Sequence, residues 1–228
     1  MCGRLNIHDH PGILDLLDAL GIPLRLPEDA LPPARHNIAP GASLLIALAH
    51  GDETGAVPAH WGITPRWARP DQFQRPLINA RAETAWDKPS FRHSMAERRC
   101  LLPVDGFYEW RRDGKARTPF HFGDPAGGKL LLGALYEYDA SGQPCFAILT
   151  TAANETMAPI HDRQPVLLPS EAVSDWLFSR DRAQLDCLIQ PASAPALCGW
   201  QVTAAVNDAR HDGTDCAAPL DDLFPDPN

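Results

Sequence analysis

The sequence predicts an α+β fold: a single domain of mainly antiparallel strands, forming an open barrel or two packed sheets, with helices on the flanks. Eight short runs of strand-type residues recur along the chain, helical periodicity is confined to four segments, and their order repeats no strand-helix-strand unit. With 228 residues, 44% of them apolar and 21% charged, the chain has an ordinary globular composition and can bury one substantial core. No repeat or linker divides it, so residues 1–228 read as one domain with its core in about 2–210 and a loosely attached tail at 218–228.

Ile13, Leu14, Leu16, Leu17 and Leu20 recur at helical spacing, with Pro11 suited to a first turn and Gly21 then Pro23 to a stop. The following LPEDALPPARHNIAPG is dense in proline and reads as an irregular surface loop. The expected strands are SLLIALAH, GAVPAHWGI, CLLPVDGFYEWRR, TPFHFGD, KLLLGALYEYD, PCFAILTTAA, QPVLLP and GWQVTAAV. Between them lie expected helices at 84–99, 170–178 and 182–189, and a short turn at 154–160.

No apolar run reaches the roughly 18 residues of a membrane span. MCGRLNIHDH lacks the apolar centre of a secretory signal, so a cytoplasmic location is expected, nucleoid-associated if the chain is bacterial, with its cysteines reduced. The six cysteines are scattered without zinc-ligand spacing, and His8 and His10 around Asp9 open a helix, so no metal or other cofactor is expected. The net charge of -9 hides an uneven distribution. Residues 61–120 carry 12 Lys+Arg against 7 Asp+Glu, a net of +5 in an otherwise acidic chain.

Cys2 followed by glycine is the most informative pair. Aminopeptidases generally remove methionine before a small residue, which would leave a terminus carrying both an amine and a thiol. Their reference pKa values, near ~7.7–8.0 and ~8.5, make both nucleophilic forms accessible around neutrality. Such a pair would trap an aldehyde as an imine that the sulfur closes into a five-membered thiazolidine. Asn79, Arg81 and Glu83 lie in LINARAET, just after Trp61, Arg66, Trp67, Arg69 and Arg75, a mixture of flat rings and guanidiniums of the kind that binds single strands. In CLLPVDGFYEWRR, strand alternation puts Phe107 and Glu109 on one face and Tyr108 and Trp110 on the other, so Glu109 sits among aromatics as a candidate general acid and base. His161, where a turn gives way to an extended run, is a candidate proton shuttle.

Taken in order, MCGR, RHNIAPG, WGITPRW, NARAET, LLPVDGFYEW and IHDRQPVLL resemble the SRAP family, named for SOS response-associated peptidases and regarded as abasic-site shields, over about residues 1–210. The resemblance implies covalent capture of abasic sites in single-stranded DNA through a thiazolidine at Cys2, after loss of Met1, in the DNA damage response. It also implies lyase-like and autopeptidase activity. Asn79 would position the sugar and the amine, Glu109 would move protons during ring opening and imine formation, and His161 would assist at the sugar oxygens and in reversal. Arg4, Arg81 and Arg163 match phosphate-holding positions. Trp67 and the loop with Asn37 and Pro40 match the surface that bends the strand. The chain departs from members with two adjacent tryptophans, since Ala68 follows Trp67. A monomer would suffice for the reaction. Two rival readings share parts of the pattern: a class II glutamine amidotransferase, which also begins Met-Cys-Gly but needs glycine-rich motifs that are missing downstream, and a non-covalent single-strand binding module.

Overall fold

A computed structural model describes residues 2–27, 30–65, 75–191 and 194–220. The elements in chain order are β1 (Leu5–Ile7), α1 (His10–Ala19), β2 (Arg35–Ile38), β3 (Ser43–His50), β4 (Glu53–Trp61), β5 (Asn79–Arg81), α2 (Ala82–Ala85), α3 (Arg92–Glu97), β6 (Arg99–Val104), β7 (Gly106–Asp113), β8 (Ala116–Gly123), β9 (Leu130–Tyr138), β10 (Pro144–Ala152), β11 (Arg163–Pro165), α4 (Val173–Phe178), α5 (Arg182–Leu188) and β12 (Cys198–Gln201).

The strands form two sheets, as expected, and one of them closes. Its order β10-β4-β3-β6-β9 returns to β10 through the β9–β10 pairing, so these five strands make a ring with no free edge. Only the β4–β10 contact in that ring is parallel. The other sheet, β12-β8-β7-β1-β2, is antiparallel throughout. One large cluster of buried apolar side chains runs through both, with Trp61, Phe107, Phe122, Phe146 and Trp176 almost wholly enclosed, and a smaller one joins Tyr108 to Val202, Val206 and Cys216.

β10 is the strand that builds the site. Its first half pairs with β9 and β4, whereas its second half extends past them and is flanked by β5 on one edge, at Ile148–Thr150, and β11 on the other, at Thr150–Ala152. Asn79 and Arg163 are thereby mounted on either side of one strand. Opposite them, β1 pairs with β7, and Arg4 O accepts from Tyr108 N, which leads Cys2 toward the distal half of β7.

α1 forms where its spacing predicts. The Asp9 side chain caps Gly12 N at 3.2 Å, Ile13 and Leu17 face the core, and Gly21 ends the turn at a φ of 67° that L side chains rarely adopt. The predicted helix at 84–99 is instead two short ones, α2 and α3, separated at Pro89, whose ring and missing N–H prevent a continuous helix. The proline-dense loop contains β2, which pairs with β1 and whose Asn37 is held by the C-terminal segment. GWQVTAAV is strand only to Gln201 and then turns at Ala204–Asn207, where Thr203 caps Ala205 N. Among the described residues no helix is long and apolar enough to cross a membrane.

Candidate active site

Cys2 is fully buried against the main core. Burial pushes its thiol well above the ordinary range, and the negative charge of Glu109 pushes it further, while the chain's amino terminus and the backbone N–H of Arg4 pull the other way. The sulfur is therefore a proton-bearing thiol at neutral pH. It is not a standing thiolate of the kind that attacks directly.

Asn79 Nδ2 donates to Cys2 O at 2.8 Å, which holds the backbone of the candidate nucleophile against β5. Asn79 Oδ1, the other half of the same amide, is buried and has no hydrogen-bond partner among the described residues. A buried acceptor left unmet costs about 1–3 kcal/mol, so such an atom in a folded protein calls for a donor supplied from elsewhere. Glu109, on the distal half of β7, is 3% exposed and close enough to Cys2 for its charge to register on the sulfur. Cys2, Asn79 and Glu109 thus converge from β1, β5 and β7.

His161 follows a hydrogen-bonded turn at 154–160 and accepts from Arg163 N through Nδ1 at 2.9 Å, with Asp162 Oδ1 3.1 Å away. It is partly exposed. It lines a groove of about 510 Å³ whose other wall is Trp110, Arg111, Arg112 and Asp113, the continuation of the strand bearing Glu109.

The arginines differ in availability. Arg163 is bidentate to Glu83, with Nη2 at 2.9 Å from Oε2, and Nη2 also donates to Thr150 O at 2.6 Å. The guanidinium holds the Glu83 carboxyl below its ordinary range. Arg81, at the end of β5, is exposed, as is Pro40 in the turn before Gly41. Arg4 lies over the Trp110 ring, 5.9 Å from its centroid, and donates to Asn37 Oδ1 at 2.6 Å and Val206 O at 2.9 Å.

Asn37 is in β2 and fully buried. Its Nδ2 donates to Val206 O, Asp208 O and His211 O, and its N–H donates to Asp212, so its polar groups are spent on binding the C-terminal segment and Arg4. Trp61, one of the rings in the arginine-aromatic stretch, is core, with its indole N–H on Ile78 O at 3.0 Å. Its strand buries it between β3 and β10. Arg66, Trp67, Ala68 and Arg69 lie outside the described residues.

Three contributors escaped sequence reasoning: Thr150 behind Arg163, Trp110 beside Arg4, and Asn207, whose Oδ1 accepts from Trp110 Nε1 at 2.6 Å. Trp110 carried a usable signal, its strand phase beside Glu109. Thr150 and Asn207 are brought in only by the fold.

Fold and site together define a two-sheet α+β protein that seats Cys2, the second residue of the chain, between an asparagine amide and a buried carboxylate. The chain belongs to the SOS response associated peptidase (SRAP) family, which matches residues 1–209. It is 34% identical over 218 residues to "Abasic site processing protein YoqW" of Bacillus subtilis (strain 168), covering 92% of this chain and 96% of that one. It is 32% identical over 182 residues to "Abasic site processing protein YedK" of Escherichia coli (strain K12), covering 78% and 79%. A crystal structure of a protein from Bacteroides thetaiotaomicron shares the fold at a TM-score of 0.78 and 23% identity, covering 96% of this chain and all of the other.

Proposed function

We propose that this protein captures abasic sites in single-stranded DNA covalently, through the amine and thiol of Cys2 once Met1 has been removed, and so shields the lesion. The relatives' names supply the lesion. The single observation that carries the chemistry is Asn79, whose amide holds the Cys2 carbonyl with one end and keeps a buried, unmet acceptor at the other. A Cys2 amine, or a hydroxyl of the opened sugar, is the donor such an acceptor lacks.

In the proposed sequence the amine attacks first: its nitrogen bonds to the sugar's aldehyde carbon and one water leaves, giving an imine. The sulfur then bonds to that carbon as its proton transfers to the imine nitrogen, closing the ring with no further atom lost. Glu109, beside the thiol, takes the role of proton carrier between sulfur, nitrogen and the departing oxygen. His161 serves at the sugar oxygens from the groove side. Exposed Arg81 meets phosphates, while Arg163 reaches them as it exchanges part of its Glu83 pairing. Arg4 and Asn37 form the support beneath: Asn37 fixes Arg4, and Arg4 fixes Trp110. Pro40 and Trp67 are proposed as strand-shaping positions. A monomer acting in the cytoplasm suffices for this capture; lyase-like cleavage and self-removal of Met1 are separate proposed steps, since imine and ring formation break neither a peptide bond nor a strand.

Incubation with a single-stranded oligonucleotide bearing one abasic site should give a complex that survives SDS and boiling, and Cys2→Ala should abolish it. Equal crosslinking by Cys2→Ala would overturn the proposal. Ammonia released from glutamine, or binding without any covalent product, would favour the rival chemistries.

A further inference from the structure

The β7–β8 hairpin carries a feature that neither the fold nor the Cys2 chemistry requires. Its tip, residues 111–117, holds Arg111, Arg112, Lys115 and Arg117 against a single carboxylate, Asp113. Asp113 is engaged by Arg111, at 3.0 Å from Nε, and the Arg111 guanidinium also lies over Phe120. Arg112 and Arg117 are directly opposite one another in the antiparallel register, both exposed, and neither forms an ion pair or side-chain hydrogen bond among the described residues. Like charges facing each other across a ladder oppose pairing.

The surroundings say what the pair meets. Arg112 and Trp110 share a face of β7, and both line the groove that His161 closes on the other side. Arg112 lies three residues beyond Glu109 and on the opposite face of β7, so its link to the candidate site is His161 across the groove. The groove therefore meets the candidate site through His161 and extends to Arg112 near the tip, with Arg117 outside the lining but directly across the ladder from Arg112. Asp162, exposed in the groove, is beside the His161 ring, so neither groove carboxylate neutralises the pair.

We propose that Arg112 and Arg117 form a second phosphate-binding subsite, which holds the single strand as it leaves the lesion along this groove. The inference rests on the DNA reading above and extends it from the reacting sugar to the strand beside it. Bound phosphates would relieve the repulsion that the register builds into the free protein.

The test compares wild type with Arg112→Ala/Arg117→Ala on long undamaged single strands, reading affinity against salt. Each lost phosphate contact removes about 0.7 from the slope of log K against log salt, so the double variant should be shallower by about 1.4 and about 10-fold weaker at low salt. Arg112→Lys/Arg117→Lys should keep the slope. The alanine variant's Tm should equal or exceed that of wild type. On an abasic strand too short to reach the tip, both should crosslink equally. An unchanged slope in the alanine variant, or loss of short-strand crosslinking in it alone, would overturn the inference. Failure of wild type to crosslink at all would count against the Cys2 chemistry alone, and the slope comparison would still decide the hairpin.

Discussion

Replacing Asn79 by alanine separates what the site does for the reaction from what it does for the fold. The substitution removes a 2.8 Å hydrogen bond to Cys2 O and, with it, an acceptor that has no partner among the described residues. The bond contributes about 1 kcal/mol net, and the acceptor, once it meets the reacting amine or sugar, contributes about as much again. A loss of about 2 kcal/mol from the transition state is roughly 30-fold in rate. Stability should move by less than about 1 kcal/mol, because the lost bond is offset by deletion of a polar atom that folding left unsatisfied. Crosslink formation followed by quenched gel time courses at saturating abasic oligonucleotide gives the rate, and urea unfolding gives the stability. Asn79→Asp should be slower still, since it sets a carboxylate oxygen against the Cys2 carbonyl. A variant that crosslinks at the wild-type rate, or whose slowing is matched by a comparable loss of stability, would refute the reasoning.

Three further outcomes follow from the same structure. His121 is buried and its pKa is lowered to about 3, mainly by burial, so the unfolded chain takes up a proton that the folded one resists; stability should be full above pH 6.5 and fall as pH drops toward 3, by up to about 1.4 kcal/mol per unit. Urea unfolding across pH 3–7 should show that slope, and His121→Gln should flatten it. Asn37→Ala should cost about 2–3 kcal/mol and roughly 5–10 °C in Tm, because it strips partners from Arg4 and from three carbonyls of the C-terminal segment; a variant of normal stability that binds DNA weakly would instead make Asn37 a direct contact. Alkylation at neutral pH should label exposed Cys187 well before Cys2, as mass mapping of peptides can read, and early labelling of Cys2 would contradict its burial and raised thiol pKa.

The fold class was legible because the strands of the barrel carry long apolar runs, such as SLLIALAH and KLLLGALYEY, whose length and flanking turns admit few other readings. What escaped was short: β1, β2 and β5 have three or four residues each and pair only because distant segments meet them. The site divides in the same way. The phase of β7 placed Glu109 apart from Trp110 and Tyr108, and the structure keeps them so: Tyr108 and Trp110 pack on Val206 and the C-terminal segment. The burial of Asn37 and Trp61 was not readable, since both sit in stretches whose neighbours are charged or turn-forming, and only tertiary pairing encloses them. Nor could the sequence show that Arg163 is already paired, because its partner Glu83 lies 80 residues away.

The measurement that bears most directly on the account is the intact mass of the product formed with an abasic oligonucleotide. A thiazolidine predicts the sum of the two masses, with Met1 absent and one water lost, no increase on borohydride treatment, and a crosslinked peptide that begins at Cys2 with both amine and sulfur blocked. A product that retains Met1, or one whose link maps to a lysine such as Lys88, Lys115 or Lys129, would contradict it.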